Sequence, residues 1–313
     1  MLDVKRLRVL REVARTGSFS AAAEVLGYTQ SAVSQQVSAL EREAGARLLQ
    51  RGARGVTLTD AGRALVDHTD SILARLSAAE EELEAIAGLR GGRLRLASFP
   101  TAGATLVPLA IAMFSDRHPE VELSLIEAEP EDSLPALRGG ELDVALTFEY
   151  SSLPTGASPP LGQDVELTHL LDDPHYVALP LDHPLARRRT VRLEQLADES
   201  WSQADCGGLC GRMHVTVCEA AGFEPRVGFQ SDDYNVVQGL VAADVAISLI
   251  PELAMSNLRD DIAIVSLGKR APVRRVAAAT MPSDVRSPAT DAMLDILVEA
   301  ARDYRAQRRP LAA

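Results

Sequence analysis

The chain has 313 residues, of which 46% are hydrophobic and 4% aromatic, and it carries a formal charge of −12. That length predicts two or three domains, and no run of ~20 apolar residues is present that could span a bilayer as a helix. The basic, amphipathic start lacks the apolar core of a signal peptide, which predicts a cytoplasmic protein, and three cysteines are too few for a disulfide scaffold.

Leu2, Val4, Leu7, Val9, Leu10 and Val13 interleave with Lys5, Arg6, Arg8, Arg11 and Arg15, predicting an opening helix with a basic face. Ser18 to Leu40 then reads as two helices broken at Gly27-Tyr28, with Ser18 and Thr29 as caps. In the second, Val33, Val37, Leu40 and Ala44 recur at helical spacing and define one buried face. The other face presents Gln30, Ser31, Ser34, Gln35 and Ser38, polar and uncharged. Glutamine can bond an adenine edge in bidentate fashion and serine suits any base, so this face predicts a helix-turn-helix reading the major groove. Arg47, Arg51 and Arg54 surround Gly52 and Gly55, and Gly55–Leu58 reads as the returning strand of a small wing tipped by Arg51 and Arg54. Residues 1–65 hold ten Lys/Arg against six Asp/Glu, a net +4, which leaves −16 for the remainder. The basic excess therefore coincides with the helix pair and the wing. Phosphate neutralisation accounts for that, and double-stranded DNA is the predicted partner.

Phe19-Ser20-Ala21-Ala22-Ala23, Thr29 to Ser34, Leu40-Glu41, Gly45, Leu48-Leu49, Arg51 and Leu58-Thr59-Asp60-Ala61-Gly62 follow an order that resembles the winged helix-turn-helix of LysR-type transcriptional regulators. The resemblance implies base or phosphate contacts for Gln30, Ser31 and Ser34 and a wing contact for Arg54. Gln35 stands where the family often has arginine, which points to fewer guanine contacts.

From Thr59 or Asp60 a long helix is expected to about Gly88. Leu65, Thr69, Ile72, Leu76, Ala79, Leu83 and Ile86 alternate at four and three residues, a heptad seam that predicts pairing of two chains. Leu65, Ile72, Leu76, Leu83 and Ile86 are its large apolar members. Two copies also suit DNA half-sites about one turn (~34 Å) apart. The family resemblance implies a homodimer, with dimers pairing into a tetramer.

Beyond Arg93 short strands alternate with helices, the pattern of parallel βαβ units. Leu153 to Pro160 reads as a crossover. A second subdomain is expected to follow, with strands near Thr168–Leu171 and Tyr176–Leu179 separated by a loop at Asp172-Asp173-Pro174. The expected fold is therefore α/β, with a DNA-binding domain over 1–58, a linker helix over 59–90 and an effector domain over 91–313. The last divides into lobe I (91–163 and 268–313) and lobe II (164–267), resembling periplasmic binding proteins.

Ligands of open α/β sheets sit beyond the carboxyl ends of strands. Four such ends are Ser98-Phe99-Pro100-Thr101, Thr147-Phe148, Gln203 and Ser248. Thr101 also stands at a predicted helix start, where unpaired N–H groups favour an anion, and the resemblance implies an effector-binding hydroxyl there. Asp205, Asp232 and Asp233 would oppose an anion, leaving the charge of the small-molecule effector open.

No G-x-S-x-G, Walker P-loop or H-E-x-x-H pattern occurs, and the histidines lack metal-ligand spacing, so neither an enzyme nor a cofactor or metal site is expected. Cys206, Cys210 and Cys218 cluster, and the family resemblance makes thiol-based redox sensing the alternative function. A transport-type solute-binding protein would suit the α/β lobes but not the helix-turn-helix.

Overall fold

In a computed structural model of the protein, residues 2–52, 55–86, 92–153, 165–204 and 208–307 are described. The first helix, α1 (Val4–Thr16), is capped by the Asp3 carboxylate, and α2 (Phe19–Leu26) by Ser18. Helix α3 (Gln30–Ala44) starts at Thr29, whose hydroxyl accepts from Ala32 N at 3.2 Å. Leu7, Leu10, Val13, Ala22, Val33, Val37, Leu40 and Leu48 form their common core. Strands β1 (Leu49–Gly52) and β2 (Gly55–Leu58) pair as the wing, and Val56 N donates to Gly17 O to tie it to the α1–α2 corner.

Helix α4 (Asp60–Ile86) follows at once. Thr59 joins the two parts, its hydroxyl donating to Arg47 O while accepting from Gly62 N. Only glycine fits at 62, because a Cβ there would stand 2.0 Å from Leu48 O. The 27 residues of α4 extend ~40 Å.

The remainder is one continuous sheet of nine strands among the described residues, covered by helices. Lobe I contributes β3 (Arg93–Ser98), α5 (Pro100–Gly103), α6 (Leu106–Arg117), β4 (Glu122–Glu127), α7 (Pro130–Arg138) and β5 (Val144–Tyr150). Next comes β6 (Glu166–Pro180). Lobe II holds β7 (Ser200–Gln203), α8 (Leu209–Ala220), β8 (Arg226–Gln230), α9 (Tyr234–Ala242), β9 (Ile247–Pro251) and β10 (Ile262–Ser266). The chain returns to lobe I with β11 (Val273–Thr280) and α10 (Pro288–Gln307). Within each lobe the central pairs, β3 with β4 and β5 and β7 with β8 and β9, are parallel.

Strand β6 corrects the expected layout. Asp172-Asp173-Pro174 is not a loop but the middle of one 15-residue strand. Its first half, including Thr168–Leu171, pairs with β11 in the lobe I sheet, and its second half pairs with β9 and β10 in lobe II. Lobe II therefore begins near His175 rather than at 164. Loop-forming residues tolerate this place because the Asp173 carboxylate is matched from the side, as described below. The turn after α9 is closed by a residue other than glycine. Asp244 adopts φ 57°, the one left-handed non-glycine among the described residues, a conformation aspartate enters more readily than most residues.

Candidate DNA-reading face and effector cleft

Gln30, Ser31, Gln35 and Ser38 are exposed on α3 and Ser34 is half-buried, so the structure presents them on one solvent-facing side. The Ser31 hydroxyl lies 3.0 Å from that of Thr29, which holds it at the helix start. Arg51 lies on β1 opposite Val56, and Arg54 lies outside the described residues. The basic face of α1 is largely committed within the chain. Arg6 pairs with Gln36 and Glu43, Arg15 with Glu12, and Arg11 with the effector domain. Phosphate contact by these three arginines, expected from local charge, competes with those partners.

On α4 the seam splits. Leu65 is half-buried against the core of the DNA-reading module and Thr69 is buried. Ile72, Leu76 and Leu83 are exposed at 37%, 43% and 65%, an apolar stripe left open among the described residues. The side chain of Ile86 lies outside the described residues.

The cleft between the lobes, about 590 Å³, opens at the end of β3. Behind it stands Arg274 on β11, 2% exposed. Burial disfavours its charge, but Asp173, first among several groups that favour the charge together with Tyr150, Cys210 and Tyr234, helps to outweigh that penalty, and the guanidinium stays protonated. Asp173 lies opposite Arg274 in the β6–β11 register and accepts from its Nε and Nη2 at 2.9 and 2.6 Å. The second carboxylate oxygen accepts from Leu253 N at 3.0 Å, which reaches across to lobe II. Arg274 Cζ also sits 4.7 and 4.8 Å from the ring centres of Phe99 and Phe148, close enough for cation–π attraction.

This arrangement reassigns several expected ligand residues. Pro100 and Thr101 do line the cleft. The Thr101 hydroxyl accepts from Arg274 Nη2 at 2.7 Å, so it is neither a helix cap nor idle. Its helix, α5, is a single turn begun by Pro100, which has no N–H to offer an anion. Phe99 and Phe148 are buried as walls around the guanidinium, and Ser98 and Thr147 are buried away from the cavity lining. Gln203 and Ser248 line a separate small cavity with His175, Cys210 and His214. Tyr234, Asn235, Gln238 and Leu253 complete the cleft wall and were not anticipated. Nothing local marks them, since α9 and the segment after β9 read simply as apolar helix and loop.

Cys210 Sγ lies 3.3 Å from the Tyr150 hydroxyl, itself 3.3 Å from His175 Nε2. Loss of solvent pushes the Cys210 thiol up, and burial pushes Cys218 up to about 12. Both sit on α8, eight positions apart. That spacing is ~12 Å along a helix, beyond the ~7 Å a disulfide spans. Cys206 lies outside the described residues. Among the described residues no group of three His, Cys, Asp or Glu could hold a metal, and no helix is long and apolar enough to cross a membrane.

Residues 4–63 match the family described as bacterial regulatory helix-turn-helix protein, lysR family, and residues 87–302 match the LysR substrate binding domain. The probable transcriptional regulator LrrA of Synechococcus elongatus is 31% identical, the alignment covering 97% of this chain and 99% of that protein. The transcriptional dual regulator GltC of Bacillus subtilis is 30% identical over 80% of this chain and 81% of its own. A full-length OxyR variant from Pseudomonas aeruginosa superposes with a TM-score of 0.63 at 23% identity, covering 99% of both chains. Full-length CbnR, solved in complex with its target DNA, gives 0.53 at 23% identity, covering 96% of this chain and 100% of that one. These two solved structures support the fold.

Proposed function

Because this chain belongs to the LysR family of DNA-binding transcriptional regulators, we propose that α3 reads base edges through Gln30, Ser31, Ser34, Gln35 and Ser38 while Arg51 and Arg54 on the wing contact the DNA backbone or minor groove. Its working units are the module over 1–58, the helix over 59–90 and the effector domain over 91–313, with the lobe II boundary moved to about 175. The stripe Ile72, Leu76 and Leu83 pairs two chains, and effector domains join dimers into a tetramer. The regulator acts in the cytoplasm.

The effector occupies the cleft beside Thr101. The observation that carries this reading is an inter-lobe cavity of about 590 Å³ whose wall includes the polar side chains of Thr101, Tyr234, Asn235 and Gln238. Such a volume suits a small molecule. The wall also includes Glu127, Asp232 and Asp233 and, among the described residues, neither lysine nor arginine. Arg274, behind Thr101, already balances Asp173. The effector is accordingly a small polar molecule that is neutral or positively charged, and a carboxylate or phosphate is disfavoured. A thermal-shift screen of the full-length protein against small amines, polyols and carboxylates tests this, because a ligand of the native state raises Tm by mass action. Stabilisation by an amine or polyol that Asn235→Ala weakens supports the assignment. Stabilisation by carboxylates alone, unaffected by Asn235→Ala, overturns it.

A further inference from the structure

Helix α7 touches two different bodies with its two ends. At its start, beside the cleft, the Glu131 carboxylate accepts from Leu209 N at 3.1 Å and lies 4.0 Å from Arg212 Nη2, both on lobe II helix α8. Along its length Leu134 and Leu137 are buried against Ala97, Ala145 and Ala279 of the lobe I sheet. At its end Gly139 O accepts from Arg11 Nη1 at 3.1 Å, and Arg11 also pairs with Glu141 and lies 3.9 Å from Asp70. Arg11 belongs to α1 of the DNA-reading module. A Cβ at 139 would fall 1.8 Å from its Nη1.

The same turn is locked from both sides. Gly140 takes φ +68°, and a Cβ built on it would stand 3.2 Å from Ala74 Cα of α4. Its carbonyl accepts from Arg95 Nη1 at 2.7 Å, while Arg95 is held by Asp143 through two nitrogens. The turn is thus held by Arg95 on one side and by α4 on the other.

We infer that α7 carries movement of lobe II to the DNA-reading module, with the Arg11–Gly139 contact as the latch at its far end. It rests on the cleft reading only for what moves lobe II; the contact path stands on its own. An effector that changes the approach of α8 to Glu131 shifts a nine-residue rod, ~13 Å long, against α1. The reading helix α3 packs directly on α1 through Leu7, Leu10, Val33 and Val37, so the push alters how paired reading helices address their half-sites.

No effector is needed for the test. Full-length protein is assayed on a DNA site selected from random sequence by the wild type, reading affinity and bend angle by gel mobility. Glu131→Gln perturbs the cleft end, and Arg11→Gln opens the latch end. Glu131 and Arg11 share no hydrogen-bond partner, and residues without a common partner normally act additively. The expected result is a change of ~3-fold or more in affinity or a shifted bend for each variant, and a double variant no further from wild type than either one. Gly139→Ala should match Arg11→Gln, because the added methyl displaces the guanidinium, and combining the two should add nothing. Urea midpoints separate these effects from instability. Additive effects, or singles that bend and bind DNA as wild type does while remaining folded, overturn the inference. Because no small molecule enters this assay, its failure is distinct from failure of the cleft assignment.

Discussion

Arg274 and Asp173 lie 101 residues apart in the chain and meet at 2.6 Å as cross-strand partners, 2% and 0% exposed. Removing one partner of a buried pair leaves an uncompensated charge, at a cost of about 3–5 kcal/mol. Asp173→Asn and Arg274→Met should each lower stability by that amount in urea unfolding, and Asp173→Leu combined with Arg274→Met should recover most of the loss. Equal losses in the single and double variants would mean that packing rather than charge is what the pair supplies.

Gln30 stands exposed at the first position of α3. Losing a bidentate base contact costs about 1–3 kcal/mol at the preferred site, and random DNA should be bound as before. Competition binding with Gln30→Ala measures the ratio of the two affinities. An unchanged ratio would remove Gln30 from the reading face.

Leu76 is 43% exposed in the single chain, between Ile72 and Leu83 on one side of α4. Leu76→Asp places a charge where an apolar partner is expected and should convert the assembly to monomers, since burying an unpaired carboxylate is strongly unfavourable. Sedimentation velocity at micromolar concentration decides this. A Leu76→Asp protein that sediments like wild type would place the interface elsewhere.

Burial disfavours the charged form of His214 and lowers its pKa to about 4, and His175 shifts the same way. In the unfolded chain histidine titrates near ~6.5. Between about 6.5 and 4 the unfolded state thus takes up protons that the folded state refuses, so stability falls as pH drops through that window. His214→Leu, which keeps a similar volume against Trp201, should flatten this slope in pH-dependent thermal unfolding. A slope as steep as wild type would assign the acid sensitivity to other groups.

Local signals carried the first 66 residues. Asp3, Ser18 and Thr29 cap, Gly17, Gly27 and Gly45 close, and the period of Val33, Val37 and Leu40 defines a buried side, each within one turn of its effect. The strand and helix order of the α/β lobes was legible for the same reason. What only the tertiary structure decided is where distant polar groups compensate one another. Asp172-Asp173-Pro174 has the composition of a loop, and it lies inside a strand because Arg274 and Leu253 N meet the Asp173 carboxylate there. The Thr101 hydroxyl lines the cleft, and its hydrogen-bond partner is Arg274, a residue 173 positions away that no local pattern pairs with it. Leu65 keeps its heptad spacing but packs half-buried against the core of the module, because a helix continuing directly from the wing rests its first turns on it. Periodicity reports which side of a helix is apolar, and only the packed chain determines what that side meets.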